Sequence, residues 1–265
     1  MIINIIRSKP TKLFIVLAGF FIANALIAEL VGTKLFSLEK TFGYDPVDFR
    51  FFGESFSFNL TAGVLLWPVV FIMTDIINEY YGPKGVRFLS FLTIALIVFA
   101  FVMFSGAIAL YPADFWAINY YKGVPDSNAA FSGIFGQSQA IIVASLIAFL
   151  VGQLLDVFVF HKIKQATGEK QVWLRATGST LVSQFVDSFV VLFIAFYVAP
   201  RIAGNVAPWS FSLVMAICIG NYLYKFIVAV VLTPVIYFAH YLIDRYLGEA
   251  EAAEMKKAAM ARSNR

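Results

Sequence analysis

The chain is expected to be an all-α, polytopic integral membrane protein with six transmembrane helices and both termini in the cytoplasm. Three observations predict this. Of 265 residues, 60% are hydrophobic and 14% charged, where a soluble domain carries about 25% charged residues. The apolar residues gather in six charge-poor runs of membrane length. The Lys and Arg residues outside those runs fall mostly on one side.

Each run has the roughly 20 residues needed to cross a bilayer core of about 30 Å. The first covers about 12–35 and is interrupted late by Glu29. The second, about 59–81, contains the charge-free stretch from Leu60 to Met73 and ends in an acid-rich cluster. The third covers about 86–110. The fourth, about 135–160, has Asp156 near its end, and the fifth, about 174–199, has Asp187 inside it. The sixth, about 209–244, holds Lys225 near its middle and Pro234 as an expected kink. It is long enough to tilt or to project beyond the membrane. One helix is preferred there, because two spans would each be short and would share no polar loop. Gly82-Pro83 closes the second run as a helix C-terminus commonly ends, and Pro200, Gly204 and Pro208 mark the connection between the last two. Loops 37–58 and 111–133 mix aromatics with Gly, Asp and Pro and are expected on the membrane surface. No stretch is left for a separate soluble domain, so residues 1–265 read as a single transmembrane domain with a short tail, 249–265.

Orientation follows from the basic residues. Arg7, Lys9, Lys12, Lys84, Arg87, Lys162, Lys164, Lys170, Arg175, Arg245, Lys256, Lys257, Arg262 and Arg265 make fourteen on one side. Lys34, Lys40, Arg50, Lys122 and Arg201 make five on the other. The positive-inside rule puts the richer side, with both termini, in the cytoplasm. Ala23-Asn24-Ala25 would suit a signal peptidase, but the apolar run continues past it; cleavage there would leave the other five spans oriented as before.

Composition also excludes several classes. Cys218 is the single cysteine, and His161 and His240 are the only histidines, so neither a disulfide within the chain nor a Cys- or His-rich metal site is expected. No cofactor is implied. The net charge of +4 is spread over loops and does not point to nucleic acid. No Walker A, H-E-x-x-H or G-x-S-x-G pattern occurs, and nothing resembles a carbonyl-lined potassium filter. The chain is therefore not expected to be an enzyme. The lipid bilayer is its expected surrounding, and a homo-oligomer is left open.

The informative residues are polar ones at membrane depth, which are costly to place and so mark polar interiors. Thr74-Asp75-Ile76-Ile77-Asn78-Glu79-Tyr80-Tyr81-Gly82 ends the second run. Asp75 and Glu79 are four apart, and two carboxylates on one face repel unless one is protonated or a cation lies between them. The structural alternative is pairing with Lys84 or Arg87 at the boundary. Gly152-Gln153-Leu154-Leu155-Asp156 and Ser183-Gln184-Phe185-Val186-Asp187 both read Gln-x-x-Asp, which puts amide and acid on one helix face. Such a pair can hold a planar heterocycle by its edge: the carboxylate accepts N–H donors, and the amide donates to a carbonyl or accepts another N–H. The alternative is that each pair only ties helices together. Lys225 cannot easily snorkel from mid-membrane and should have an acidic partner; Asp187, at similar depth, is the expected one. Asn221 and Tyr222 lie beside Lys225. Glu29, with Asn24 about one turn earlier, adds a polar face to the first span, or else meets Lys34 at the interface. Trp67, Trp116, Trp173 and Trp209 read first as interface anchors. These features together point to a chain that moves or binds a polar solute inside a membrane.

The same residues resemble the queuosine precursor transporter family, a vitamin-uptake group of bacterial inner-membrane proteins. The resemblance rests on Thr74-Asp75-x-x-Asn78-Glu79-Tyr80-x-Gly82, on Gly152-Gln153-x-Leu155-Asp156-Val157-x-Val159-Phe160, and on Ser179-Thr180-Leu181 through Asp187 to Phe193-Ile194-Ala195-Phe196. Tyr222-x-x-Lys225 followed by Pro234 completes it. The match spans the second to sixth runs and is loose over the first run and loop 37–58; the alanine-rich tail after Gly248 is outside it. The resemblance implies six transmembrane helices and uptake of 7-cyano-7-deazaguanine or 7-aminomethyl-7-deazaguanine, with the free base queuine a further candidate. Under that reading Asp156 and Asp187 would take the donor edge of the deazaguanine, with Gln153 and Gln184 beside them. Asn78 and Asn221 are second choices. Asp75 and Glu79 would bind substrate or carry a proton, and Lys225–Asp187 would be a central ion pair. Three spans plus three would allow an inverted repeat. The alternatives are a substrate-binding membrane subunit of a multi-component importer, or a transporter of another purine-like or vitamin-like solute.

Overall fold

A computed structural model describes residues 8–263 apart from 48, 52–53, 118–122, 137–138, 168–171 and 204–206. The basic residues Arg7, Lys122, Lys170 and Arg265, and Gly204, lie outside the described residues.

Helix α1 (Lys9–Val31) begins where Ser8 accepts a hydrogen bond from the Thr11 amide, with Pro10 in the first turn, a position that needs no intrahelical N–H. The following loop is more ordered than an irregular surface segment. Strand β1 (Leu35–Ser37) leads into a single helical turn, α2 (Leu38–Thr41), and then β2 (Phe49–Phe51), β3 (Glu54–Phe56) and β4 (Asn59–Thr61). β1 pairs antiparallel with β4, Leu35 opposite Thr61, and β2 with β3, Phe49 opposite Phe56. Glu39 ties the loop together: its carboxylate accepts from the Phe58 amide at 2.8 Å and from the Ser37 hydroxyl at 3.0 Å. These two small pairings are the strand structure among the described residues of a protein otherwise built from helices.

A 3-10 turn (Ala62–Leu65) enters α3 (Trp67–Ala109). Short helices α4 (Asp114–Ala117) and α5 (Ser127–Phe135) fill the next loop. Then come α6 (Gln139–Thr167), α7 (Val172–Leu192), a π-helical stretch (Phe193–Val198), α8 (Ala199–Ala203), α9 (Phe211–Leu247) and α10 (Glu249–Ser263). α6 starts four residues later than the fourth apolar run and continues past it, so Lys164 sits on a helix rather than in a loop. α9 runs through Pro234 as one element, in keeping with the single sixth span read from the sequence.

Among the described residues, five helical elements are long and apolar enough to cross a membrane. The second and third apolar runs share one of them, 62–109. A straight helix the length of α3, 43 residues, would span about 65 Å, twice a bilayer core. α3 is not straight: Gly82 has φ +77° and ψ −178°, which divides it into arms 67–81 and 83–109, and Pro83 opens the second arm. Only glycine adopts that backbone conformation readily.

The exteriors of these helices are apolar and their contacts are inward. Of the spanning helices α6 is the most enclosed, with 39% of its apolar window buried against 17–22% for the others. Its neighbour α7 comes close at Gly152, where an added Cβ would lie 3.6 Å from the Cβ of Asp187. α1 approaches the 3-10 turn as closely: a Cβ on Gly63 would lie 2.5 Å from the Ala28 carbonyl oxygen. The tail helix α10 folds back on α3. Ala259 meets Gly82, while Lys256 pairs with Asp244 at 2.9 Å and lies over the Tyr80 ring. Tyr80 donates to Asp244 at 2.7 Å and faces His240 Nδ1 at 3.1 Å.

Gly82→Ala is expected to lower stability by about 1–3 kcal/mol from backbone strain alone, or about 2–12 °C in a detergent melt. The new methyl would also meet the Ala259 carbonyl oxygen at 3.2 Å. An unchanged melting temperature would show that the break between the arms does not need glycine.

Candidate functional site

Two cavities lie side by side between α1, α3, α6, α7 and α9, and both are bounded by Val64, Trp67 and Lys225. The first adds Phe71, Asp75, Thr180 and Gln184. The second, about 190 Å³, adds Glu29, Ser145, Phe149, Asp187, Ser188 and Asn221. The second cavity exceeds the void of about 150 Å³ that admits a benzene ring, so a flat heterocycle is within its reach; the first, about 30 Å³, has room for a water or two.

The ion pair expected from the sequence stands on the shared wall. Lys225 Nζ donates to Asp187 Oδ2 at 2.6 Å, with the two side chains 15% and 18% exposed. Helices α7 and α9 thus meet through opposite charges, in surroundings where either charge alone would be costly.

Asp75 and Gln184 face the first cavity, and both are buried. Asp75 Oδ2 is 3.4 Å from the Thr180 hydroxyl, a long hydrogen bond. Asp75 Oδ1 and Gln184 Nε2 have no hydrogen-bond partner among the described residues, and neither has the Ser188 hydroxyl beside the second cavity. An unpartnered buried polar atom costs about 1–3 kcal/mol. Here the cavity offers an unused carboxylate acceptor and an unused amide donor to whatever enters it. Trp67 supplies an aromatic wall, its ring centroid 5.6 Å from that of Phe149 and 6.5 Å from that of Phe71.

The other sequence-predicted residues divide clearly. Glu29 accepts from the Ser145 hydroxyl at the second cavity, rather than meeting Lys34. Asn221 lines that cavity, with its amide donating to Ile217 of its own helix at 3.0 Å. Asn24, expected to extend the Glu29 face, is half-buried, donates to the Phe20 carbonyl and lines neither cavity, so it does not join the site. Gln153 and Asp156 are buried but are not among the residues lining either cavity. Gln153 Oε1 accepts from Thr74 at 3.0 Å, and Asp156 Oδ1 from Ser183 at 3.2 Å. Asn78 accepts from His161 Nε2 at 2.8 Å, which fixes a proton on that ring nitrogen. Glu79 pairs with Lys164 of α6 at 3.0 Å, both 1% exposed, rather than with Lys84 or Arg87.

Sequence reasoning missed five contributors. Trp67, taken as an interface anchor, is a cavity wall; its place just before Pro68, at the start of a helix carrying Asp75, is the available signal. Thr180 and Ser183 fall at i−4 and i−1 of Gln184, hydroxyls on the helix face that meets Asp75 and Asp156. Lys164, counted as a loop base, is a buried partner. His161, which fits no catalytic pattern, is an interhelical hydrogen bond.

The family described as “Putative vitamin uptake transporter” matches residues 61–239, which include both arms of α3 and every side chain of the cavities except those on α1. A Bacillus subtilis (strain 168) protein named “Probable queuosine precursor transporter” is 32% identical over 194 residues, 72% of this chain and 76% of that protein. One of the same name from Haemophilus influenzae is 30% identical over 52% of each chain. The “Queuosine precursor transporter” of Escherichia coli (strain K12) is 26% identical over 66% of this chain and 69% of its own. No solved structure matches. The chain belongs to the vitamin uptake transporter family, and its relatives are transporters rather than enzymes.

Proposed function

We propose that this protein is a secondary transporter of the bacterial cytoplasmic membrane that imports a queuosine precursor, 7-cyano-7-deazaguanine or 7-aminomethyl-7-deazaguanine. The observation that carries the reading is the pair of unpartnered atoms, Asp75 Oδ1 and Gln184 Nε2, on one aromatic-walled cavity. A deazaguanine edge presents ring N–H and amino donors to a carboxylate and a carbonyl to an amide N–H. The ring itself would occupy the larger adjoining cavity, with its edge toward Asp75 and Gln184, and its flat face would stack on Trp67 or Phe149, worth about 1–3 kcal/mol by analogy with bases on aromatic side chains. The names of the relatives supply the substrate class.

Counting the two arms of α3 separately gives six crossings, with both termini on the basic, cytoplasmic side. Proton coupling has support from the placement of Asp75 and Asp156 against one face of α7, where Thr180 donates to the first and Ser183, three residues on, to the second. Two neighbouring carboxylates favour a shared proton or cation. In this reading Asp75 and Gln184 read the substrate edge. Asp156 holds the coupling proton, and Lys225–Asp187 is the polar post between the two cavities.

Uptake is tested in a bacterial strain that neither makes nor imports queuosine precursors, by supplying each precursor and measuring queuosine in tRNA. The wild-type chain should restore queuosine, and Asp75→Asn should reduce uptake about 10–100-fold, the loss of one charge-assisted hydrogen bond. No queuosine from either precursor at normal expression would refute the assignment. Asp156→Asn is expected to keep the thermal stabilisation that precursor gives the purified protein while losing accumulation against a gradient; loss of both would make it a substrate ligand instead. Asp187→Asn strands the Lys225 charge and should lower stability by about 3–5 kcal/mol, whereas Asp187→Leu with Lys225→Met should recover folding but not uptake. Full uptake by that double variant would reduce the ion pair to a structural tie.

A further inference from the structure

A third cavity, about 250 Å³, lies outside the site described above, between the start of the second α3 arm and the end of α6. Pro83, Arg87, Val157, Phe158, His161, Lys162 and Gln165 line it. Arg87 and Lys162 are exposed at its mouth, and neither has an acidic partner among the described residues. Lys84 and Lys164 belong to the same basic end of the molecule, but Lys164 is engaged with Glu79. Two cations are therefore left facing a pocket that contains no carboxylate.

The surface adjoining the cations is apolar. One turn along α6 from Lys162 stands Phe158, 59% exposed, and one turn further Leu154, 39% exposed. One turn along α3 from Arg87 stands Phe91, 55% exposed. Lys162 Nζ is 5.6 Å from the centroid of the Phe158 ring, which keeps the ammonium at the junction of the polar mouth and the apolar strip. The two helices thus present positive charge at the membrane boundary and a strip of exposed side chains running from it into the hydrocarbon region.

From this arrangement we infer that the pocket binds the headgroup of an anionic phospholipid, with Arg87 and Lys162 on its phosphate and an acyl chain along Phe158, Leu154 and Phe91. Guanidinium and ammonium groups suit a phosphate, and basic pockets between membrane helices on the cytoplasmic side are suited to acidic headgroups. A free phosphate would use the cations but not the apolar strip, which is why a lipid is the better occupant. The floor of the pocket gives the site a consequence. His161 lines it and bonds to Asn78 of the α3 segment that also carries Asp75. A headgroup held there would brace the α3–α6 contact behind the transport cavity.

The test is native mass spectrometry of the detergent-purified protein, titrated with phosphatidylglycerol, phosphatidylcholine or inorganic phosphate. Wild type should retain phosphatidylglycerol at least about tenfold over phosphatidylcholine, and R87Q/K162Q should lose that preference while R87K/K162R keeps it. Melting temperature in detergent alone checks that the variants fold. Equal retention of the two lipids by wild type, or an undiminished preference in R87Q/K162Q, would overturn the inference. Retention of inorganic phosphate as strong as that of phosphatidylglycerol, and lost in R87Q/K162Q, would also overturn it, reassigning the pocket to a free anion. None of these readouts depends on the substrate, so the site stands or falls separately from the proposed transport.

Discussion

A lysine ammonium midway along an apolar helix has few tolerable neighbours, and the arrangement around the cavities follows from that constraint. Lys225 has no headgroup within reach, so α9 must lie against a helix that offers a carboxylate at the same depth. Asp187 of α7 does so at 2.6 Å. Once α7 is fixed on one side by that pair, its small and hydroxylic face is left for α6 and α3. Gly152 lets α6 approach the backbone of α7 at the level of Asp187, and Thr180 and Ser183 turn toward Asp75 and Asp156. The polar interior is thus a consequence of satisfying charges away from lipid, where an isolated one costs several kcal/mol.

Much of this was legible in the sequence, because the bilayer imposes a simple rule on composition. Charge-poor runs of about 20 residues correspond to the five membrane-length helical elements, the second and third runs sharing α3, and Lys225 and Asp187, each isolated at matching depth in its run, are legible as a pair. Gly82-Pro83 was readable as a break, since a positive φ and a missing N–H both interrupt a helix. What the pattern could not resolve was rotation about the helix axes. Gln153-x-x-Asp156 and Gln184-x-x-Asp187 look alike along the chain, yet Gln184 and Asp187 face the cavities while Gln153 and Asp156 turn into the helix contact. The hydrophobic stripe that would reveal rotation in a soluble helix is missing when lipid and protein interior are both apolar. The same ambiguity hid Trp67, which could equally have anchored an interface. The strand pairs of loop 37–58 were illegible for another reason: three-residue strands carry too little periodicity to read.

The acid-rich segment that ends the first arm of α3 is best understood as two functions on one helix. Thr74, Asn78 and Glu79 face α6 and are joined to Gln153, His161 and Lys164 respectively. Those three cross-links fall within residues 74–79 of α3 and 153–164 of α6, so they lock the two helices in register over more than a turn. Asp75 is different. It reaches the Thr180 hydroxyl of α7 by a long bond and, unlike Asn78, Gln153 and Asp156, whose unpartnered atoms lie away from both cavities, it lines the first cavity. Asp187 and Glu79 each meet a lysine ammonium instead, at 2.6 and 3.0 Å.

Rigidity and availability are coupled in this design. Removing the α3–α6 cross-links would let Asp75 find partners by small rotations of α3, and its free oxygen would be lost to the protein itself. The lock therefore keeps Asp75 poorly satisfied, in the way a binding site must keep its ligand-directed atoms short of partners. Gly82 ends that locked segment with a backbone conformation closed to other residues, and α10 seals the turn from outside through Ala259. Beyond this turn the second arm carries Arg87 into the basic pocket. The break, the lock and the open acid lie within nine residues, 74–82, which makes this segment the point where a movement of the second α3 arm would be felt at the first cavity.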